Sequence, residues 1–209
     1  MPEERRDILL PFLFPAILTV VLVMMKLFEV TQDMPLFKLG IHPRDVGGML
    51  GIITSPLIHG DWQHLLSNAS PILVLGWMVG YFYPHAAMGV LLHSWWATGV
   101  LVWLLAGGPA WHIGASGVVY AWAFFLLASG LLRKERRRSV VVAVIVLLYG
   151  GLLWGLMPGQ IGISWESHMA GAAVGLVLAL LYRQYDIPPP EVDPFEDEVD
   201  DEVDYKYRG

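Results

Sequence analysis

Hydrophobic positions in this chain come in long blocks and not at a strand or surface-helix period. Apolar runs occupy residues 8–28, 65–83, 86–106, 113–132, 139–157 and 163–182. Each approaches the ~20 residues that an α-helix needs to cross roughly 30 Å of hydrocarbon. In lipid, backbone polar groups are satisfied only within a helix or a closed barrel. The pattern therefore predicts an all-α membrane protein with six crossings and both termini on one side. The first run, Ile8 to Phe28, follows Glu3-Glu4-Arg5-Arg6. It is long for a signal-peptide core and no small-residue cleavage motif follows, so a retained first helix is expected.

Between the first two runs lies a connection over residues 29–63. It carries apolar patches of its own, Met34 to Leu39 and Val46 to Ile58, broken by Pro35, Pro43 and Pro56. Long connections are commonly functional or disordered, and this one is too apolar for disorder. Short helices packed at the membrane surface and dipping into it are expected here. At the other end, Ile187 and three prolines lead into an acidic stretch that includes Glu198 to Asp204. That composition cannot bury a core. The division expected is residues 1–7 as a cytoplasmic N-terminus, 8–185 as the membrane domain and 186–209 as a disordered cytoplasmic tail.

Composition supports the membrane class: 56% of residues are hydrophobic, 15% are charged and the mean hydropathy is +0.55. The formal charge of -6 belongs to the tail, where residues 186–209 hold ten acidic groups and two basic ones. No basic stripe suited to nucleic acid is left elsewhere. The chain has no cysteine, which excludes a disulfide scaffold, a thiol nucleophile and thiolate metal sites. Lys and Arg collect on the cytoplasmic side of membrane proteins. An inside N-terminus puts Arg5, Arg6, Arg133, Lys134, Arg136, Arg137, Arg138, Arg183, Lys206 and Arg208 inside, against Lys26, Lys38 and Arg44 outside. Residues 29–63, 107–112 and 158–162 are then the outer connections.

Polar groups within apolar runs are costly and mark candidate function. Gly114-Ala115-Ser116-Gly117 opens the fourth run. A helix start offers unpaired N–H groups and the positive end of the macrodipole, which suit a nucleophile that must stabilise an oxyanion. Alone, the motif is equally a close-packing device of membrane helices. A serine hydroxyl needs a base, and His168 lies at a similar depth in the sixth run. After it come Ala170, Gly171, Ala172, Ala173 and Gly175, small residues that let two helices approach closely. On the second run His64 and Asn68 stand four residues apart and share a helix face, offering N–H donors to a developing oxyanion. The rival is a metal site of His59, His64 and His168. Against it, five-residue spacing puts His59 and His64 on different helix faces, and no carboxylate shares that helix.

Taken in order, His59 to Asn68, Gly114 to Tyr120 and His168 to Gly175 resemble the rhomboid intramembrane serine proteases, over most of residues 8–185. The resemblance implies a six-transmembrane-helix rhomboid-like bundle that cleaves transmembrane segments of other proteins in the cell membrane, near the outer leaflet, without a cofactor. It implies Ser116 as nucleophile and His168 as general base and then acid. His64, Asn68 and the Ser116 amide would form the oxyanion hole, and Tyr120 would pack on the histidine ring. Gly114 allows the tight turn before the serine, while Gly117, Gly171 and Gly175 support close packing. Many members carry a Trp-Arg pair in the first outer loop; this chain has Gly40-Ile41-His42-Pro43-Arg44 instead, so Arg44 is expected to anchor that loop differently.

Two other classes compete. A non-catalytic relative would bind transmembrane clients without cutting them, though Ser116 and His168 are both present. A transporter or channel would need a polar path across the bilayer, yet the candidate residues cluster at the outer ends of the runs. Glu166, two residues from His168, is on a different helix face and is not expected to orient it. His42, His85, His93 and His112 read as interfacial or helix-contact residues, and Trp62, Trp111 and Trp165 as an aromatic belt. No phosphate loop or dinucleotide fingerprint is present.

Overall fold

The computed structural model describes residues 3–133, 150–159 and 162–187. Among them are six α-helices and no β-strand: α1 (Glu3–Thr31), the short α2 (Gly51–Thr54), α3 (Trp62–Phe82), α4 (Ala87–Leu105), α5 (Ser116–Arg133) and α6 (Trp165–Leu181). Five of the six apolar runs are accounted for by α1, α3, α4, α5 and α6. The fifth run falls mostly outside the described residues, and its described end, Gly150–Leu156, is a 3-10 helix. Most of the acidic tail also lies outside them. In α1 the helix already includes Glu3, five residues before the apolar run, because Glu and Arg extend a helix readily.

Length and composition let α1, α3 and α4 span a bilayer, over Leu9–Thr31, Trp62–Phe82 and Ala87–Leu105. Outward-facing residues such as Leu13, Ile17, Val20, Leu176 and Leu181 are large, apolar and exposed. That is the surface expected where lipid replaces water. The chain is an all-α membrane protein.

Small residues set the packing. Pro11 and Pro15 of α1 lie where any Cβ on Gly80 and Gly76 of α3 would stand, each 2.9 Å away. The most intimate pair is α5 with α6. A Cβ on Gly171 would overlap the Gly117 carbonyl, and one on Gly175 would overlap the Ala121 carbonyl. Backbones thus touch directly, as small-residue faces allow in membranes. Below this seam Trp122, Phe125 and Leu126 fill the centre of the bundle against Leu65, Ile72 and Val79. The Trp122 indole donates to Ser94 Oγ at 2.7 Å, which satisfies its buried N–H.

The first connection folds as expected into short helical turns, Phe37–Leu39, Val46–Gly48, α2 and Ser55–Leu57. Exposed Val46, Met49, Leu50 and Ile53 give it an apolar outer side. Arg44 pins it: the backbone N–H donates to the Trp103 carbonyl at 2.9 Å and the guanidinium to the Ala106 carbonyl at 3.2 Å. Both acceptors lie at the C-terminal end of α4, where a cation is favoured. Lys26, buried in α1, donates to Glu29 at 2.7 Å and to the carbonyls of His59 and Gly60 at 3.0 and 2.9 Å. These bonds tie α1 to the segment that leads into α3. Asp186 accepts from the backbone N–H groups of His85 and Ala86 at 3.0 and 3.1 Å, which ties the segment after α6 to the turn before α4.

Candidate active site

Ser116 is the first residue of α5, so its N–H has no intrahelical acceptor. The turn that delivers it requires glycine at position 114. Gly114 has φ +103°, and a Cβ there would stand 2.6 Å from His64 Nε2. The preceding loop is tethered by its amides: Gly114 donates to the Ser55 carbonyl at 2.9 Å, and Ala115 to His59 Nε2 at 3.4 Å.

His168 is the fourth residue of α6, one turn in from Ser164, whose side chain caps the helix by accepting from the Ser167 N–H. Its Nε2 lies 2.8 Å from Ser116 Oγ. Its Nδ1 lies 2.9 Å from the carbonyl oxygen of Gly155. A carbonyl only accepts, so the proton sits on Nδ1 and Nε2 is left to accept from the serine hydroxyl. A buried carboxylate sets the same tautomer in soluble serine proteases. The Tyr120 ring stacks on the imidazole, with centroids 4.2 Å apart and planes 11° from parallel. Gly117 and Gly171 bring the two helices close enough for the serine to reach the histidine. Glu166 makes no contact with His168 that would orient it, as its place in the helix predicts.

His64 and Asn68 lie on one face of α3 and line the same cavity as Ser116 and His168. The cavity is open and measures about 950 Å³. Asp61 caps α3 by accepting from the His64 N–H at 2.7 Å. Asn68, 3% exposed, donates one N–H of its amide to the His64 carbonyl at 2.8 Å. An amide nitrogen has two N–H groups, so a second remains for a ligand. The arrangement can do acyl-transfer chemistry, with a hydroxyl on a base and N–H donors around one polar recess.

Three features of the site escape a sequence reading. The first is the Gly155 carbonyl, a backbone group with no side-chain signature. The second is His59. Spacing had separated it from His64, but α3 begins only at Trp62, so His59 lies in the loop, and the two rings meet edge to face with centroids 5.0 Å apart. Burial, reinforced by the neighbouring His64, pushes the His59 pKa down to about 4. Among the described residues no three His, Asp or Glu side chains gather to hold a metal ion. The third is His112, read as an interfacial or helix-contact residue, which is 5% exposed and forms part of the cavity wall. Burial holds its pKa below the ordinary imidazole value, against the opposing pull of Glu166. His42, His85 and His93 are more open.

Residues 46–185 match the family described as Rhomboid domain. This span includes every site residue from His59 to His168. Uncharacterised proteins of Mycobacterium bovis and Mycobacterium tuberculosis are each 37% identical over 158 residues, covering 68% of this chain and 62% of their own length. An uncharacterised protein of Mycobacterium leprae is 36% identical over 139 residues, or 63% of this chain and 55% of its own. The matched region thus spans less than two thirds of these relatives.

Proposed function

The chain belongs to the rhomboid family, and from that premise we propose that it is a serine endopeptidase that cuts transmembrane segments of other membrane proteins. The observation that carries this reading is the 2.8 Å contact between Ser116 Oγ and His168 Nε2, with Nδ1 held by the Gly155 carbonyl.

In the reaction, Ser116 Oγ attacks the scissile carbonyl while His168 takes its proton. The negative oxygen that forms is met by the Ser116 amide and by His64 and Asn68. His168 then returns the proton to the departing amine, leaving an acyl-serine. Water enters the polar cavity, gives a proton to His168 and attacks the ester, and the serine is restored. Peptide bonds within a stable helix are shielded, so the substrate must unwind where it is cut. Helix-weakening Gly or Pro near the cut and a small residue at it are the expected features. At 17 residues α6 reaches about 26 Å, near the short end of a hydrocarbon crossing, and His168 one turn into it favours a site recessed from the surface. The charge asymmetry of the chain supports a cavity opening on the outer side, with both termini in the cytoplasm.

The test is cleavage of a fluorescent transmembrane peptide by the purified protein in liposomes. The intact chain cleaves it, and Ser116→Ala and His168→Ala each lower kcat by at least about a thousandfold. Cleavage that survives Ser116→Ala defeats the site assignment. Binding without cleavage across several helix-weakened peptides turns the reading to a client-binding module.

A further inference from the structure

Besides the Ser116–His168 contact, a second side-chain bond joins the same two segments. Four residues earlier on each, His112 Nδ1 lies 2.6 Å from Ser164 Oγ, and both bonds span 52 residues of chain. They form two rungs between the loop-and-start of α5 and the start of α6. We propose that His112 is a positioning residue for the peptidase reaction. Its bond to Ser164 holds residues 112–116 and the first turn of α6 at the separation the Ser116–His168 hydrogen bond requires. This inference rests on the serine endopeptidase reading above.

Each end of the outer rung is itself fixed. His112 is paired through its backbone with Ile41, its N–H donating at 2.8 Å and its carbonyl accepting at 2.9 Å. The ring's Nε2 meets no protein partner among the described residues, so the Ser164 bond alone orients it. On the other side, Ser164 Oγ lies 2.7 Å from Ser167 Oγ and accepts from the Ser167 N–H at 3.3 Å. The Ser164 carbonyl accepts from the His168 N–H at 3.2 Å. Ser164 therefore fixes the turn on which His168 stands. Only three residues separate His112 from Ser116, and two of them have amides tied to Ser55 and His59. A displacement at His112 passes along this short, tethered segment to the serine.

The dyad thus sits between two clamps. On its inner side is the backbone contact of Gly117 with Gly171; on its outer side is His112 with Ser164. Removing the outer clamp leaves the helices together but lets their starts separate. Geometry at a reacting pair is unforgiving: a shift of about 1 Å can cost on the order of a hundredfold in rate.

The test measures kcat, KM and thermal stability for the full chain in liposomes with a transmembrane reporter. His112→Phe and Ser164→Ala are each expected to lower kcat about tenfold, the worth of one buried hydrogen bond, with KM within about twofold. The double variant should be no worse than the poorer single one, because both remove the same bond. His112→Asn keeps a hydrogen-bonding atom where Nδ1 stands and should recover most of the lost kcat. Unchanged kcat in His112→Phe overturns the proposal, since Ser164→Ala also removes the cap of α6. So do losses that multiply in the double variant, or a kcat loss that Asn does not recover and that follows thermal stability alone. Should His112→Phe fail to fold, Ser164→Ala removes the same bond from the smaller side chain. An intact chain that never cleaves defeats the endopeptidase reading itself; an intact chain that cleaves, with indifferent variants, defeats this inference only.

Discussion

Single residues divide into those that do chemistry and those that keep others in place, and His59 shows what the second group costs. Its imidazole is buried and neutral, with a pKa near 4 in the folded chain against 6.5 for a free group. The folded-state value is depressed, so the contribution to stability is complete above about pH 6.5. It is lost as pH falls through that range toward 4, because the unfolded chain takes up the proton first. His112 acts in the same direction. We expect the melting temperature in detergent to fall progressively between pH 7 and pH 4.5, and His59→Gln to flatten that slope. An acid limb of equal steepness in the variant would contradict this. At this scale the sequence exposes a polar residue wherever it interrupts an apolar run, which is why Ser116, His168, His64 and Asn68 are legible. Gly155 acts through its carbonyl, and His112 and His59 act from loops whose course no spacing rule supplies. The contacts of these three become visible only in three dimensions.

Elements are legible from run length, but their ends and contacts are not. Five apolar runs reappear as helices, and the described part of the remaining one, Gly150–Leu156, is a glycine-rich 3-10 turn. Helix α3 starts at Trp62 because Asp61 caps it, and that single boundary decides that His59 faces His64. The small residues after His168 predict a close helix pair, and α5 with α6 is that pair. Gly171→Val tests its energetics. The new side chain would have to displace the Gly117 carbonyl, and overpacking of this kind costs roughly 1–3 kcal/mol. Denaturation in mixed micelles should show that loss, together with a fall in cleavage as the helices separate. Gly150, where a Cβ would meet no atom of the described residues within 4 Å, should accept alanine with little change in stability. Equal behaviour of the two variants would show that the seam does not limit stability.

For the molecule as a whole, the chain's own chemistry offers a clean reading of orientation, because it has no cysteine. Single cysteines at exposed Gln32 and His85 sit on connections that the charge pattern assigns to opposite sides. An impermeant maleimide on intact cells should label Gln32→Cys and reach His85→Cys only after the membrane is opened; the reverse pattern would invert the topology. With that orientation, the cavity holding Ser116 and His168 opens outward and both termini face the cytoplasm. The alternation of apolar runs makes the membrane class plain in the sequence, and the ordered site motifs make the family plain. What neither carries is the way loops 29–63 and 107–112 close over the helix starts, since that depends on side chains such as Lys26 and Arg44 finding distant carbonyls. The central claim is that Ser116 is a nucleophile activated by His168. The most direct measurement treats the purified protein with a fluorophosphonate and maps the adduct by mass spectrometry, comparing the intact chain with His168→Ala. The account predicts one adduct, on Ser116, and its loss in the His168→Ala protein. An unmodified Ser116, or labelling that ignores the histidine, would contradict it.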